Sequence, residues 1–200
     1  MTNVQDYLSS LNAAIDSRAA YEASKNADNN SIQSVLAALR KDFNRAEVIA
    51  QIMIDNSVNA EFINRQERSN NRYNVYAAQK VENAVSASAN TEALNHYTLA
   101  ILKVACALKT VSHKDAVSAC SAGVKHSDTA RERVIKSLRY AKHVAANTAS
   151  TQSSSSLNAL QTLNVISESR DANNDVIYSV NSDSLIFKAL AARYELKLAE

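Results

Sequence analysis

The chain has 200 residues with 22 Lys and Arg against 20 Asp and Glu, and this near-neutral balance by itself indicates no class of partner. It has no Pro and a single Gly, which favours long helices and excludes an extensive β architecture, because tight turns between strands depend on glycine. With 46% hydrophobic residues, the chain predicts a mainly α protein, a multi-helix bundle.

The sequence carries no recognisable motif for catalysis, metal binding or membrane insertion. A single glycine excludes the glycine-rich loops that hold nucleotides, and the four histidines lack the spacing of metal ligands. Cys106 and Cys120 predict two reduced, buried thiols in a cytosolic protein. No apolar run reaches the roughly 18 residues that a membrane span needs. We therefore expect a cytoplasmic, non-enzymatic protein without a cofactor.

Apolar residues in the first seventy positions recur with the period of amphipathic helices. The stripe of the first helix comprises Val4, Tyr7, Leu8, Leu11 and Ile15. This helix is expected to end in the polar segment 24–30, and Ser31 is a candidate N-cap for the second helix. A third helix is predicted to start at Asp42 or Asn44, to carry Val48 on its apolar face and to end at a break over 55–59.

A polar, arginine-containing run over 64–74 predicts a boundary, which gives a helical dimerisation or interaction unit over 1–70 and connecting helices over 71–111. Tyr73 and Tyr76 lie in sequence beside three arginines, a composition that could stack on single-stranded nucleic acid: Arg65, Arg68 and Arg72. We favour instead a core position for Tyr76, with the arginines on a solvated or interface face.

Thr91 and Glu92 predict the start of a long apolar helix that reaches Leu108. After it, Ser112 can cap a short helix that stops at Gly123 in the left-handed conformation. Together with the segments that follow, these residues predict a C-terminal domain over 112–200.

A basic helix is predicted over 129–144, capped by Ser127 or Asp128. Its expected inner face comprises Val134, Ile135, Leu138 and Val144. Its expected outer face comprises Arg131, Arg133, Lys136, Arg139 and Lys142. A solvated charged face, in which Glu132 pairs with Lys136, is the alternative interpretation.

After a turn at 147–149, a third helix is predicted from about Ser150, with three leucines on its inner face: Leu157, Leu160 and Leu163. Away from the core it would present short polar side chains suited to base edges and phosphates: Thr151, Gln152, Ser154, Ser155 and Asn158. Alternating residues in VIYSVN predict a strand, the segment 171–175 a hairpin turn with Arg170 at its base, and 181–184 the cap of a last helix.

The phrase TASTQSSSSLNALQTLNVISESRD resembles the recognition helix and first wing strand of the winged helix-turn-helix family. The resemblance covers Ser112 to Asn181 and implies a winged-helix-like domain with one small β-hairpin. A shifted register, with HKDAVSACSAGVKHSDTARERVIK as the helix-turn-helix, stays open. Both registers place Arg131, Arg133 and Lys136 near nucleic acid.

Charge is unevenly distributed: Ile101 to Ile166 hold nine Lys and Arg against three acidic residues. Such an asymmetry is typical of a phosphate-binding surface. We predict a DNA-binding regulator or accessory factor that binds double-stranded DNA and self-associates through its N-terminal helices. The predicted contacts are Arg131, Arg133, Lys136, Arg139, Thr151, Gln152, Ser154, Asn158 and Arg170. The alternative is a helical assembly protein of a virus or phage particle, located in the virion.

Overall fold

The computed structural model describes residues 3–25, 28–67 and 72–199, and within them the chain is mainly α with one small antiparallel sheet. The helices are α1 Val4–Lys25, α2 Asn30–Phe43, α3 Glu47–Asp55, a 3₁₀ turn Phe62–Asn64, α4 Val75–Ser88, α5 His96–Leu108, α6 His113–Ala119, α7 Thr129–Leu138, α8 Ala146–Thr162 and α9 Leu185–Tyr194. The strands are β1 Thr110–Ser112, β2 Ile166–Arg170 and β3 Val176–Val180. The expected mainly α fold with a hairpin is confirmed.

The first three helices form as their apolar periodicity predicts, with shifts at their starts. The side chain of Asn29, not Ser31, caps α2 by accepting a hydrogen bond from the N–H of Ile32. The third helix begins at Glu47, because Ala46 is still extended, and Val48 is 47% exposed instead of lying on the apolar face.

Helix α4 packs against helices from both the N-terminal and the C-terminal parts of the sequence. It packs against α2 and α3 on one side and against α8 and α9 on the other, and ten of its fourteen residues are buried. The hydrophobic core extends from Tyr7 to Leu190 through all three predicted ranges. It includes Cys106 and Cys120, which are free thiols as predicted. The division of the chain into three units stays a prediction.

The two tyrosines near the start of α4 differ in burial. Tyr73 is fully buried, and its ring lies 5.4 Å from that of Phe62, whereas Tyr76 is 44% exposed. The expectation of a core position for Tyr76 is therefore wrong. The Arg65 guanidinium lies 4.9 Å from the Tyr73 ring centre. Arg68 lies outside the described residues.

The elements from α5 to α6 differ from prediction at their ends. Asn95 caps α5 by accepting hydrogen bonds from the N–H groups of Tyr97 and Thr98, so the helix starts after Thr91 and Glu92. Ser112 does cap α6, but the helix ends at Ala119. Gly123 does not have a positive φ, so the predicted left-handed end of the helix at this residue is wrong.

Helix α7 is shorter, and α8 longer, than predicted. Asp128 caps α7 as expected, but the helix ends at Leu138, and Arg139 is extended. Helix α8 begins at Ala146, so the predicted turn at 147–149 is helical. The three leucines lie in the core as predicted. Ser155 is only 2% exposed, so its predicted outward position is wrong.

A small sheet flanks the C-terminal helices. Strands β2 and β3 form the predicted hairpin, with Glu168 opposite Tyr178 in register. Strand β1, which the sequence did not reveal, pairs antiparallel with the other side of β3, and this gives the order β1-β3-β2. Ser184 then caps α9 through the N–H of Phe187.

Candidate nucleic-acid interface

Arg131, the first predicted phosphate contact, forms an ion pair with the buried Asp115. Its Nε lies 2.7 Å from Oδ1 of Asp115, its Nη2 lies 2.8 Å from Oδ2, and Nη2 also donates to the Thr110 carbonyl at 2.7 Å. Asp115 is 1% exposed and also accepts hydrogen bonds from the N–H and hydroxyl of Ser112, which complete the capping box of α6. Burial tends to raise the pKa of Asp115, but the hydrogen bonds from Arg131 and Ser112 hold it below its ordinary value. Arg131 thus joins α7 to β1 and α6.

The expected outward position of Arg139 is wrong. Its side chain is only 5% exposed, forms an ion pair with Glu132 and donates to the Val124 carbonyl at 2.7 Å. Glu132 also accepts a hydrogen bond from the N–H of His126 at 2.8 Å, so it pairs with Arg139 rather than with Lys136. The guanidinium therefore holds the loop between α6 and α7 against the end of α7.

These pairings leave an excess of exposed positive charge between Ile101 and Ile166. Asp115 and Glu132 are paired with arginines, and Asp128 accepts hydrogen bonds from the first N–H groups of α7. Of the nine bases only Arg131 and Arg139 form these pairs. Six others are exposed: Lys109, Lys114, Lys125, Arg133, Lys136 and Lys142. Arg133 and Lys136 form no ion pair or hydrogen bond with the described residues.

The N-terminal half of α8 presents a polar stripe to solvent. Thr151 and Ser154 are exposed, but their hydroxyls donate to the carbonyls of Asn147 and Ser150, one turn earlier. Toward solvent, these two hydroxyls can therefore act only as hydrogen-bond acceptors. Gln152 is half-buried, and its amide makes no hydrogen bond with the described residues, so it can both donate and accept.

The C-terminal half of α8 is occupied by the chain itself. Asn158 accepts a hydrogen bond from Arg65 at 2.9 Å and donates one to Glu67 at 2.9 Å. A groove beside it is lined by Glu67 and Glu168 as well as by Arg65, which pairs with Glu67, so the groove has no excess of positive charge to attract a phosphate backbone. Asn158 is thus a link to the segment before α4 and not an outward-facing side chain.

Arg170 lies on an exposed strand whose turn is acidic. Its guanidinium donates to the Asn174 carbonyl at 2.6 Å, and the carboxylate of Asp171 accepts the N–H groups of Asn173 and Asp175. The charge of Arg170 is surrounded in sequence by three acids, so the tip of the hairpin is a poor phosphate contact.

His113 is a neighbour of the α8 stripe that sequence reasoning did not select. It opens α6, and its Nε2 lies 2.9 Å from the hydroxyl of Ser154 and 3.3 Å from that of Ser153. Burial lowers its pKa. No local pattern indicates this contact, because the partners are separated by 41 positions in the chain.

Within 3–25, 28–67 and 72–199 no helix is long and apolar enough to cross a membrane. The same described residues contain no group of three or more His, Cys, Asp or Glu side chains able to hold a metal ion. Comparison of the chain with protein-family models, with curated proteins and with solved structures found no match.

Proposed function

We propose that the protein binds double-stranded DNA as a non-enzymatic regulator or accessory factor, through a winged-helix-like arrangement of its C-terminal helices. The observation that carries the proposal is the charge of the exposed surface between Ile101 and Ile166. Two of the three acids of this segment are paired with arginines and the third, the exposed Asp128, caps α7, whereas six of the nine bases are exposed. Such a surface attracts a phosphate backbone without sequence preference.

The order of elements supports the same proposal. Helices α6, α7 and α8 are followed by the hairpin β2–β3, the succession that the resemblance to winged helices implies. Helix α8 packs on α6 through its inner face, and the polar stripe of its N-terminal half is exposed. Lys142 lies in the loop that leads directly into this helix. A phosphate near the N-terminus of α8 would also be favoured by the helix dipole.

The structure narrows the set of residues to which the proposal assigns contacts. Arg133, Lys136 and Lys142 are proposed to contact phosphates, because they are exposed and form no ion pair with the described residues. Gln152 is proposed to contact a base edge, with Thr151 and Ser154 as acceptors beside it. Arg131 and Arg139 support the fold of this surface instead of touching DNA.

Fluorescence anisotropy with labelled duplexes of unrelated sequence tests the proposal. The double variant Arg133→Gln/Lys136→Gln should weaken binding to every duplex to the same degree, since phosphate contacts carry no sequence information. Lys41→Gln/Lys188→Gln removes the same charge from exposed sites on α2 and α9 and is the matched control. Equal losses in both double variants would refute the assigned surface, and the absence of duplex binding at low salt would refute DNA binding.

A separate variant tests base readout by α8. Gln152→Ala should change the preference between duplexes, by about 1–3 kcal/mol where the amide contacts an adenine. Its effect on the average affinity should be smaller. An unchanged preference over a randomised duplex pool would remove Gln152 from the proposed contacts.

A further inference from the structure

A second site lies where α4, the start of α5 and α8 meet. A cleft of about 520 Å³ opens there, a volume within the range of small-molecule sites. Its lining is polar, with amides from Asn83, Asn95 and Gln152 and hydroxyls from Thr151 and Ser155. Of the described residues that line it, Lys80 alone is charged, and none carries a carboxylate.

Among the residues that the structure describes, none pairs an opposite charge with the buried ammonium group of Lys80. The residue is 7% exposed, its Nζ donates to the Asn95 amide oxygen at 3.1 Å, and the ring centre of Tyr97 lies 5.4 Å away. An ammonium group has three N–H donors, and this one makes a single hydrogen bond with the described residues. Buried charges in proteins are normally paired, as Glu82 on the same helix is with Arg45.

The titratable neighbours of Lys80 do not supply the missing charge. Burial raises the pKa of the Cys120 thiol to about 12, so this group is neutral near pH 7. Burial and then the charges of Lys80 and Lys142 lower the pKa of His96, which is a base and not an anion. Burial also lowers the pKa of Lys80 itself to about 8, which leaves most of the ammonium protonated at neutral pH.

Capping of α5 does not explain why the Lys80 ammonium group lies at this position. Asn95 already accepts the N–H groups of Tyr97 and Thr98, so the helix has its cap and the amide oxygen is shared between three donors. Lys80 is therefore the group in the cleft with unused donors and an uncompensated charge.

We propose that this cleft binds a small free molecule carrying an oxyanion, a carboxylate or phosphoryl group, whose oxygen accepts hydrogen bonds from Lys80. The amides and hydroxyls of the lining would bind the neutral polar part of the same molecule. A small ligand is favoured over a duplex phosphate because Lys80 is 7% exposed, whereas backbone phosphates suit exposed bases such as Arg133. Gln152 and Thr151 belong both to this lining and to the proposed base contacts, so a duplex and the small ligand would compete for them, whereas the contact with Lys80 belongs to the cleft alone.

NMR of the lysine side chains, with inorganic phosphate as the probe, tests the inference on the full chain. Phosphate titrated against chloride at constant ionic strength should shift the Nζ and Cε signals of Lys80 saturably and raise its pKa. The signals of Lys188, an exposed lysine on α9, should not change in this way. Lys80→Met should weaken phosphate binding about tenfold or more, the loss expected for a hydrogen bond to a charged group.

Three results would overturn the inference. The first is an unsaturable response of Lys80, equal in phosphate and chloride. The second is unchanged phosphate affinity in Lys80→Met. The third is a response of Lys80 to duplex DNA but not to phosphate, which would assign the cleft to a backbone phosphate. If Lys80→Met does not fold, the wild-type Lys80 signals alone decide.

Discussion

Replacing Arg131 by Met should destabilise the protein much more than the same change at Arg133 on the same helix. The substitution leaves the Asp115 carboxylate, 1% exposed, without the two charged hydrogen bonds of 2.7 and 2.8 Å from Arg131. Breaking a buried pair in this way costs about 3–5 kcal/mol. The Arg131 side chain is 31% exposed, so we expect the lower end, about 3 kcal/mol, or a fall in Tm of about 6–12 °C.

The pH dependence should change with the same substitution. The pKa of Asp115 is lowered on folding, so the carboxylate contributes stability above its ordinary pKa, and this is lost as pH falls through the lower folded value. In Arg131→Met, burial persists while the Arg131 contribution disappears, so the pKa of Asp115 rises and this acid-dependent loss of stability is removed. The stability difference between Arg131→Met and wild type should therefore shrink as pH falls through the folded pKa of Asp115.

Urea unfolding followed by circular dichroism, at several pH values, measures both effects. Arg133→Met should remain within about 0.5 kcal/mol of wild type, as an exposed substitution does. The reasoning is refuted if the two variants are equally stable near neutral pH, or if the stability difference between Arg131→Met and wild type stays constant as pH falls.

The remaining predictions concern two other positions. Lys80→Met should raise the unfolding free energy near neutral pH by up to about 3 kcal/mol, because the pKa of Lys80 falls from 10.5 to about 8 on folding. The gain in stability should fade as pH rises through this interval, and the control Lys188→Met should show no such gain. Chemical unfolding at neutral and alkaline pH measures the unfolding free energy of both variants. A lower unfolding free energy of Lys80→Met at neutral pH would contradict the prediction. Gly123→Ala should cost less than about 1 kcal/mol, because the added Cβ would meet the end of the exposed His143 ring, 2.3 Å away, which can move. Thermal unfolding should detect no cost in a His143→Ala background, and a persistent cost would mean that the backbone is the obstacle.

Local patterns in the sequence predict most elements of the fold, because their causes are local. The apolar stripe of α1, the cap of α7 at Asp128 and the hairpin around 171–175 each depend on residues a few positions apart. Strand β1 was missed because it has three residues and is defined by its partner β3, more than sixty positions later.

The positions of charged residues depend on distant partners and were predicted less well. Arg139 belongs by its spacing to an outer helix face, but the helix ends at Leu138 and the side chain turns to Glu132 and the Val124 carbonyl. Lys80 has no local mark of burial, since its partners Asn95 and Tyr97 lie at the start of α5, fifteen or more positions later. Sequence reasoning therefore located the basic region and its exposed bases Arg133, Lys136 and Lys142, but not the ion pairs that engage Arg131 and Arg139.

The most direct test of the proposed DNA surface is the salt dependence of duplex affinity for wild type and Arg133→Gln/Lys136→Gln. The slope of log affinity against log salt is negative, and each lost phosphate contact reduces its magnitude by about 1. The slope of the double variant should therefore be shallower than that of wild type by about 2. The control Lys41→Gln/Lys188→Gln should keep the wild-type slope. A slope that is the same in all three proteins, or an affinity independent of salt, would contradict DNA binding through this surface.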